Sequence, residues 1–241
     1  ILSAFPKGDF LTDPRKYQIQ NPSIVSEKLP IMKSDYEAAI RDASFNGQPL
    51  QHLVHSYLKN RNPIELLNNL KYILLNPTKE ALRTGQRYNR KLINSLVIYM
   101  AAETVQIECE NQRVGNIKNP TFPLDKLSRS TLFEIVRRIL FDLDSEGRFI
   151  FLETLTSQLR SPNVYTFMFC YMFLHLFDIE SDNPKVDYIR DQMQRVLWER
   201  SAICKPHCWG ALLTVTKLSN HRQAQQAAAQ QVYASNYGAT Q

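Results

Sequence analysis

The segment Val164 to Phe177, VYTFMFCYMFLHLF, is apolar on every side of the helix its composition favours, and it constrains the fold more than any other stretch. A surface helix carries one apolar stripe and one polar face, whereas a helix without a polar face must be covered all round. Lipid is a poor cover here. A bilayer-spanning helix needs about 20 apolar residues, and this run is too short. The segment is therefore expected to be a central helix with neighbours on both faces.

The rest of the chain supplies those neighbours. Ser34 with Glu37 has capping-box spacing and opens a helix reaching about Ser44. Pro49 and Pro63 each suit the first turn of a helix, over 49–60 and 63–75, the second with Leu67, Leu70 and Leu74 on one face. After a loop from Asn76 to Gln86, a long amphipathic helix is expected over 88–109, with Leu92, Leu96, Tyr99 and Met100 on its stripe. The stretch Asn111 to Pro123, with Gly115, Asn119, Pro120 and Pro123, is the clearest internal break. Helices follow at about 125–141, 146–160, 164–178, 185–203 and 207–219, with Asn163 and Asn183-Pro184 as start signals. No alternating-period strand is visible, and the 7 glycines are too few for phosphate loops or a hairpin-rich sheet. The pattern predicts an all-α fold, an irregular HEAT-like stack of antiparallel helix pairs without a fixed repeat.

Both ends read differently from the middle. Pro6, Pro14, Pro22 and Pro30 remove amide donors and favour extended backbone, so residues 1–33 are expected to form an extended Pro-rich arm packed on the domain of 34–219. Residues 220–241 are rich in Gln and Ala without an apolar stripe, which predicts a frayed helix or a disordered tail. With no starting Met, signal peptide or lipidation motif, the chain reads as a soluble slice of something larger.

Two clusters hold the residue types of a metal site. Asp142, Asp144, Glu146, Gly147 and Glu153 fall almost on the calcium-loop spacing. Glu146 stands where Asp or Asn is wanted, and Ile150, Phe151 and Leu152 fill the half of the loop that should offer oxygens. A helix-helix turn explains the residues better, although a calcium-regulated helical module stays as an alternative. Cys204, His207 and Cys208 with Cys170 or His175 could supply zinc ligands, but their spacing matches no structural knuckle. Four cysteines, two of them in strongly helical patterns, make no disulfide framework and fit a reducing compartment. The net charge of +6 comes without any Lys/Arg run beyond two residues, so direct nucleic-acid binding is not expected. An RNA-binding helical-repeat module is kept as the other alternative. No nucleophile elbow, Walker loop, HExxH or kinase signature is present, and nothing nominates an enzyme. Arg148, Arg160, Arg195 and Arg200 recur near the turns, and clamping carboxylates within the array is their favoured role over holding a partner.

Four blocks carry a resemblance: ILSAFP at Ile1 to Pro6, RYNRKLINSLVIY at Arg87 to Tyr99, DLDSEGRFIFLETLTSQLRSPN at Asp142 to Asn163, and RVLWERSAICKPHCWG at Arg195 to Gly210. In this order they resemble the C-terminal domain of the large scaffold subunit (Not-one) of the CCR-NOT deadenylase complex, over Ile1 to about Leu218. The resemblance implies a non-catalytic protein-protein scaffold, without cofactors and away from membranes. It would dock Not-box subunits and repressor-protein peptide motifs and so support mRNA deadenylation, mRNA decay and translational repression. The implied location is the cytoplasm, with the nucleus as a second compartment. Its motif positions are Asp142, Asp144, Glu146, Gly147, Arg148, Arg160, Pro162, Asn163, Arg200, His207, Trp209 and Gly210, which the resemblance implies to be structural; it assigns no residue to partner contact. Two departures stand out: Cys208 replaces the second proline of the family's PHPWG block, and the family's closing Asn-Pro turn, Phe-Trp pair and further helices have no counterpart after Leu218.

Overall fold

The structure is a computed structural model that describes residues 39–75, 79, 83, 85, 87–115, 122–160, 164–179, 183–203 and 208–220. The expected arm (1–33), the Ser34/Glu37 cap, most of the loop Asn76 to Gln86, part of the break before Pro123, and the tail after Asn220 lie outside these residues.

A helical turn at 39–42 leads into the one departure from an all-helical pattern among the described residues. Strands β1 (Ser44–Phe45) and β2 (Gln48–Pro49) pair antiparallel, Ser44 opposite Pro49 and Phe45 opposite Gln48. Between them Asn46 and Gly47 both adopt positive φ, 51° and 76°, the backbone that Asn-Gly favours in a two-residue hairpin. The expectation of no strand is corrected here: two-residue strands are too short for an alternating period, and Asn-Gly was the available signal.

Helix α1 (Leu50–Asn60) starts after Pro49 and ends at Arg61, whose left-handed backbone directs its N–H to the Tyr57 carbonyl at 2.8 Å. Helix α2 (Glu65–Leu74) buries Leu67, Leu70 and Leu74, and begins after Pro63 rather than at it. Helix α3 (Arg90–Val114) is capped by Asn89, whose side chain accepts from the Leu92 N–H at 3.0 Å, and it runs beyond its expected end at 109. The single helix expected over 125–141 is two elements. A 3-10 helix (Leu124–Arg129) stops at Ser130, whose hydroxyl caps α4 (Thr131–Asp142) by accepting from the Phe133 N–H at 3.1 Å. Then come α5 (Ser145–Ser157), α6 (Val164–Phe177), α7 (Lys185–Ile203) and α8 (209–220).

From α1 to α7 the packing joins helices chiefly to the next but one in the chain. Helix α1 lies on α3 and α2 on α4, while α4 also meets α1, α3 and α5, and α5 is sandwiched between α3 and α7. Polar ties reinforce these contacts: His55 of α1 meets Glu103 of α3 at 2.9 Å, and the Tyr57 hydroxyl donates to Glu134 of α4 at 3.2 Å. The all-round apolar helix α6 has no exposed residue. The 3-10 helix and α7 pack on it, Phe133 of α4 stands edge-on to His175, and α8 lays Trp209 against Phe167 and Lys217 over Tyr171. Phe169 and Phe173 are at most 2% exposed, and burying such side chains stabilises the fold by about 1.5–3 kcal/mol each. No helix of the described residues is long and apolar enough to cross a membrane.

Candidate functional site

The turn between α4 and α5 is built by its own sequence, Leu143-Asp144-Ser145-Glu146-Gly147-Arg148. Leu143 is buried and ends α4 through its N–H to the Ile139 carbonyl at 3.0 Å. Asp144 takes extended backbone and becomes the N-cap of α5, one carboxylate oxygen accepting from the Gly147 N–H at 2.9 Å. The same oxygen accepts from the Tyr88 hydroxyl at 2.8 Å, and the other accepts from the Arg87 guanidinium at 2.7 Å. Arg87 also donates to Glu146 at 3.0 Å. The residues just before α3 are thereby fastened to the first turn of α5.

Gly147 makes the close approach possible. A Cβ there would lie 2.6 Å from Cζ of Tyr88 and 2.9 Å from its hydroxyl oxygen, and Tyr88 is 1% exposed. On the opposite side of the turn, Arg148 donates to Gln192 of α7 at 2.8 Å and to the Leu143 carbonyl at 2.9 Å. Gln192 returns two bonds, to the Ser145 carbonyl at 3.0 Å and its hydroxyl at 2.9 Å. Four helices, α3, α4, α5 and α7, therefore meet at one six-residue turn.

The electrostatics are those of a fastening. Burial pushes the Tyr88 phenol up to about 12, helped by its hydrogen bond to the Asp144 carboxylate and by that negative charge. For Asp144 burial acts upward, but the Gly147 N–H, the Tyr88 hydroxyl and the Arg87 cation outweigh it and hold the carboxyl below its ordinary range. A neutral phenol beside a stable carboxylate leaves neither group poised for proton transfer near neutrality.

The other carboxylates of the calcium-like spacing do not converge. Asp142 pairs with Arg138 on its own helix at 2.6 Å, Glu153 pairs with Arg90 at 3.4 Å, and the backbone from Ser145 onward is helical instead of wrapped. Among the described residues no group of three or more His, Cys, Asp or Glu is arranged to hold a metal ion. Of the zinc candidates, Cys204 and His207 lie outside the described residues. Cys170 is buried and hydrogen-bonded to Thr214, and Cys208 is buried at the start of α8. His175 has its Nε2 buried without a hydrogen-bond partner; burial pulls it below the ordinary histidine range, with Asp178 opposing.

Of the remaining motif positions, Trp209 and Gly210 lie at a second junction. A Cβ on Gly210 would stand 2.4 Å from a Thr166 methyl and 2.9 Å from the Leu159 carbonyl, so α8 sits directly on the end of α5 and the start of α6. Trp209 packs edge-on to Phe167, ring centroids 5.5 Å apart, and Thr166 donates to the Gln158 carbonyl at 3.0 Å. Arg160 is exposed, Arg195 pairs with Glu199 at 2.8 Å, and Arg200 is half-buried. Pro162 and Asn163 lie outside the described residues. Sequence reasoning singled out neither Arg87, Tyr88 nor Gln192 as members of these junctions; the block around Arg87 was visible, but its partner across the chain was not.

A groove of about 780 Å³ opens between the hairpin, α2 and the start of α3. Phe45, Ile73, Leu75 and Leu92 form its apolar floor, with Asp42, Ser44, Tyr72 and Lys91 exposed at its edge. An apolar floor inside a polar rim is the geometry that grips an extended peptide by a few side chains.

The family model described as "CCR4-Not complex component, Not1" matches residues 1–235. The chain is 27% identical over 219 residues to the CCR4-NOT transcription complex subunit let-711 of Caenorhabditis elegans, covering 90% of this chain and 8% of that protein. It thus spans under a tenth of that relative's length. Its fold is similar to the NOT1 superfamily homology domain from Chaetomium thermophilum, with a TM-score of 0.59 at 21% identity over 80% of this chain and 35% of that one. It is also similar to a Not1 C-terminal domain solved in complex with Not4, with a TM-score of 0.57 at 21% identity over 91% of this chain and 42% of that one.

Proposed function

The chain belongs to the Not1 family of CCR4-Not complex components, and from that premise we propose that it is a non-catalytic docking platform for other subunits of such a complex. Its partners are Not-box subunits and the short peptide motifs of repressor proteins, held so that mRNA deadenylation, mRNA decay and translational repression follow in the cytoplasm. The observation that carries this reading is the family match over residues 1–235, which spans every described helix.

Two features support it. The conspicuous polar residues of the α4–α5 turn are spent on joining helices, which suits a rigid body whose work lies on its outside. The groove beside Phe45 and Tyr72 offers an extended segment an apolar floor within reach of Asp42 and Lys91. A pull-down of Not-box subunits by the purified 241-residue chain tests the proposal. Capture that weakens on Tyr72→Glu, at a groove residue 67% exposed, with an unchanged melting curve is expected; no capture of any Not-box subunit would overturn it.

A further inference from the structure

The outer side of α7 carries two large aromatic side chains in water: Tyr188 is 66% exposed and Trp198 60%. The inner side of the same helix, with Ile189, Met193 and Leu197, is buried. The other exposed large apolar residues among those described, Ile64, Tyr72 and Val114, do not lie on α7. Tyr188 and Trp198 belong to a pattern. Pro184, Tyr188, Asp191, Arg195, Trp198 and Ala202 follow one another in alternating steps of four and three, and all are exposed. That spacing sets residues along one face of a helix, as in the seam of a coiled coil.

The seam is its own mirror in chemistry. About Met193 as centre, Tyr188 answers Trp198, Asp191 answers Arg195, and Pro184 answers Ala202. A two-fold axis brings the same patch of two copies together with the chains running oppositely, so that each residue meets its mirror position. We infer that the outer face of α7 is a self-complementary docking surface on which a second copy of this chain packs antiparallel. Tyr188 then stacks on Trp198 of the second copy, and Asp191 faces Arg195 of the second copy, each contact occurring twice.

Charge favours this occupant over another. The seam is neutral, holding one acid and one base, so it attracts neither a basic nor an acidic partner, while its own copy pairs both charges. Arg195 already reaches Glu199 at 2.8 Å, but it is 72% exposed, and a guanidinium with five donors can serve two carboxylates. An inner polar layer of this kind fixes direction and register in paired helices. Six side chains a copy fall well short of the roughly 20–30 residues a side in a stable interface, so the dimer is weak and forms with rising concentration.

Sedimentation of the 241-residue chain over a concentration series reads the equilibrium. Dimer is expected to accumulate at high concentration, and Trp198→Ala to weaken association about tenfold or more. Asp191→Arg and Arg195→Asp should each abolish it by facing like charges, and an equimolar mixture of the two variants should associate again, because each supplies the charge the other lacks. All these side chains are exposed, so melting curves should coincide with the parent's. A parent that stays monomeric throughout, single reversals that still dimerise, or a mixture that fails to recover would each overturn the inference. So would loss of Not-box capture on Trp198→Ala from a strictly monomeric parent, which would assign the seam to a different protein.

Discussion

Replacing Gly147 with Ala sets two effects of opposite sign against each other. Gly147 is in the first turn of α5, where helix propensity alone favours Ala by up to about 1 kcal/mol. Against that, the added Cβ would sit 2.6 Å from Cζ of Tyr88, and carbon atoms rest at about 3.5–4.0 Å, so the ring must retreat by about 1 Å. It has little room, being 1% exposed and held by its hydroxyl to Asp144 at 2.8 Å. Overpacking of this kind costs about 1–3 kcal/mol. Losing the hydrogen bond to the charged carboxylate adds about 1.5–3 kcal/mol. The clash wins, with a net loss of about 1.5–5 kcal/mol, which for a domain of this size lowers Tm by about 3–20 °C. Thermal unfolding followed by circular dichroism measures it. The companion experiment is the cycle with Tyr88→Ala: without the ring, the methyl group added at Gly147 no longer meets it, so the double variant should be more stable than additivity requires by at least the single variant's own loss, about 1.5–5 kcal/mol. A Tm that rises or holds in Gly147→Ala, or an additive cycle, would refute the account of this turn.

Phe169→Ala should cost about 3–5 kcal/mol by opening a cavity inside α6, with Not-box capture lost only as far as the chain unfolds; an unchanged Tm with lost capture would place the ring in an interface. Calorimetry with calcium should give no binding heat for the parent or for Asp142→Asn/Asp144→Asn, since Arg138 and Arg87 already hold these carboxylates; saturable binding by the parent, absent in the variant, would contradict this. His175 is held neutral by burial, so its folded pKa lies below the unfolded value of about 6.5 and the unfolded chain binds the proton first. Its contribution is complete above that unfolded value and is lost as pH falls through the folded one. His175→Leu should flatten this part of the stability-pH curve, and an identical slope in the variant would show that the imidazole takes no part.

The local physics of the chain was enough to mark most helices, because stripes such as Leu67, Leu70 and Leu74 and caps such as Asn183-Pro184 act within a turn or two of themselves. It was also enough to demand cover around Val164–Phe177, since a helix without a polar face has no other stable place in water. What it could not decide is which distant side chain arrives where. The spacing of Asp142, Asp144, Glu146 and Glu153 is nearly that of an ion loop, and the outcome depends on donors brought from elsewhere, Arg87 and Tyr88 from before α3 and Arg90 from α3 itself, beside the local pairing of Asp142 with Arg138 one turn back on α4. Gly147 reads in sequence as a helix-weakening residue, and its need is set by a ring 59 positions earlier in the chain. The split at Ser130 and the Asn46-Gly47 hairpin are local but short, below the window in which periodicity speaks. Backbone pattern is thus written along the chain, whereas the pairing of buried polar groups is a property of the folded body, settled only when helices far apart in sequence share one solvent-poor space.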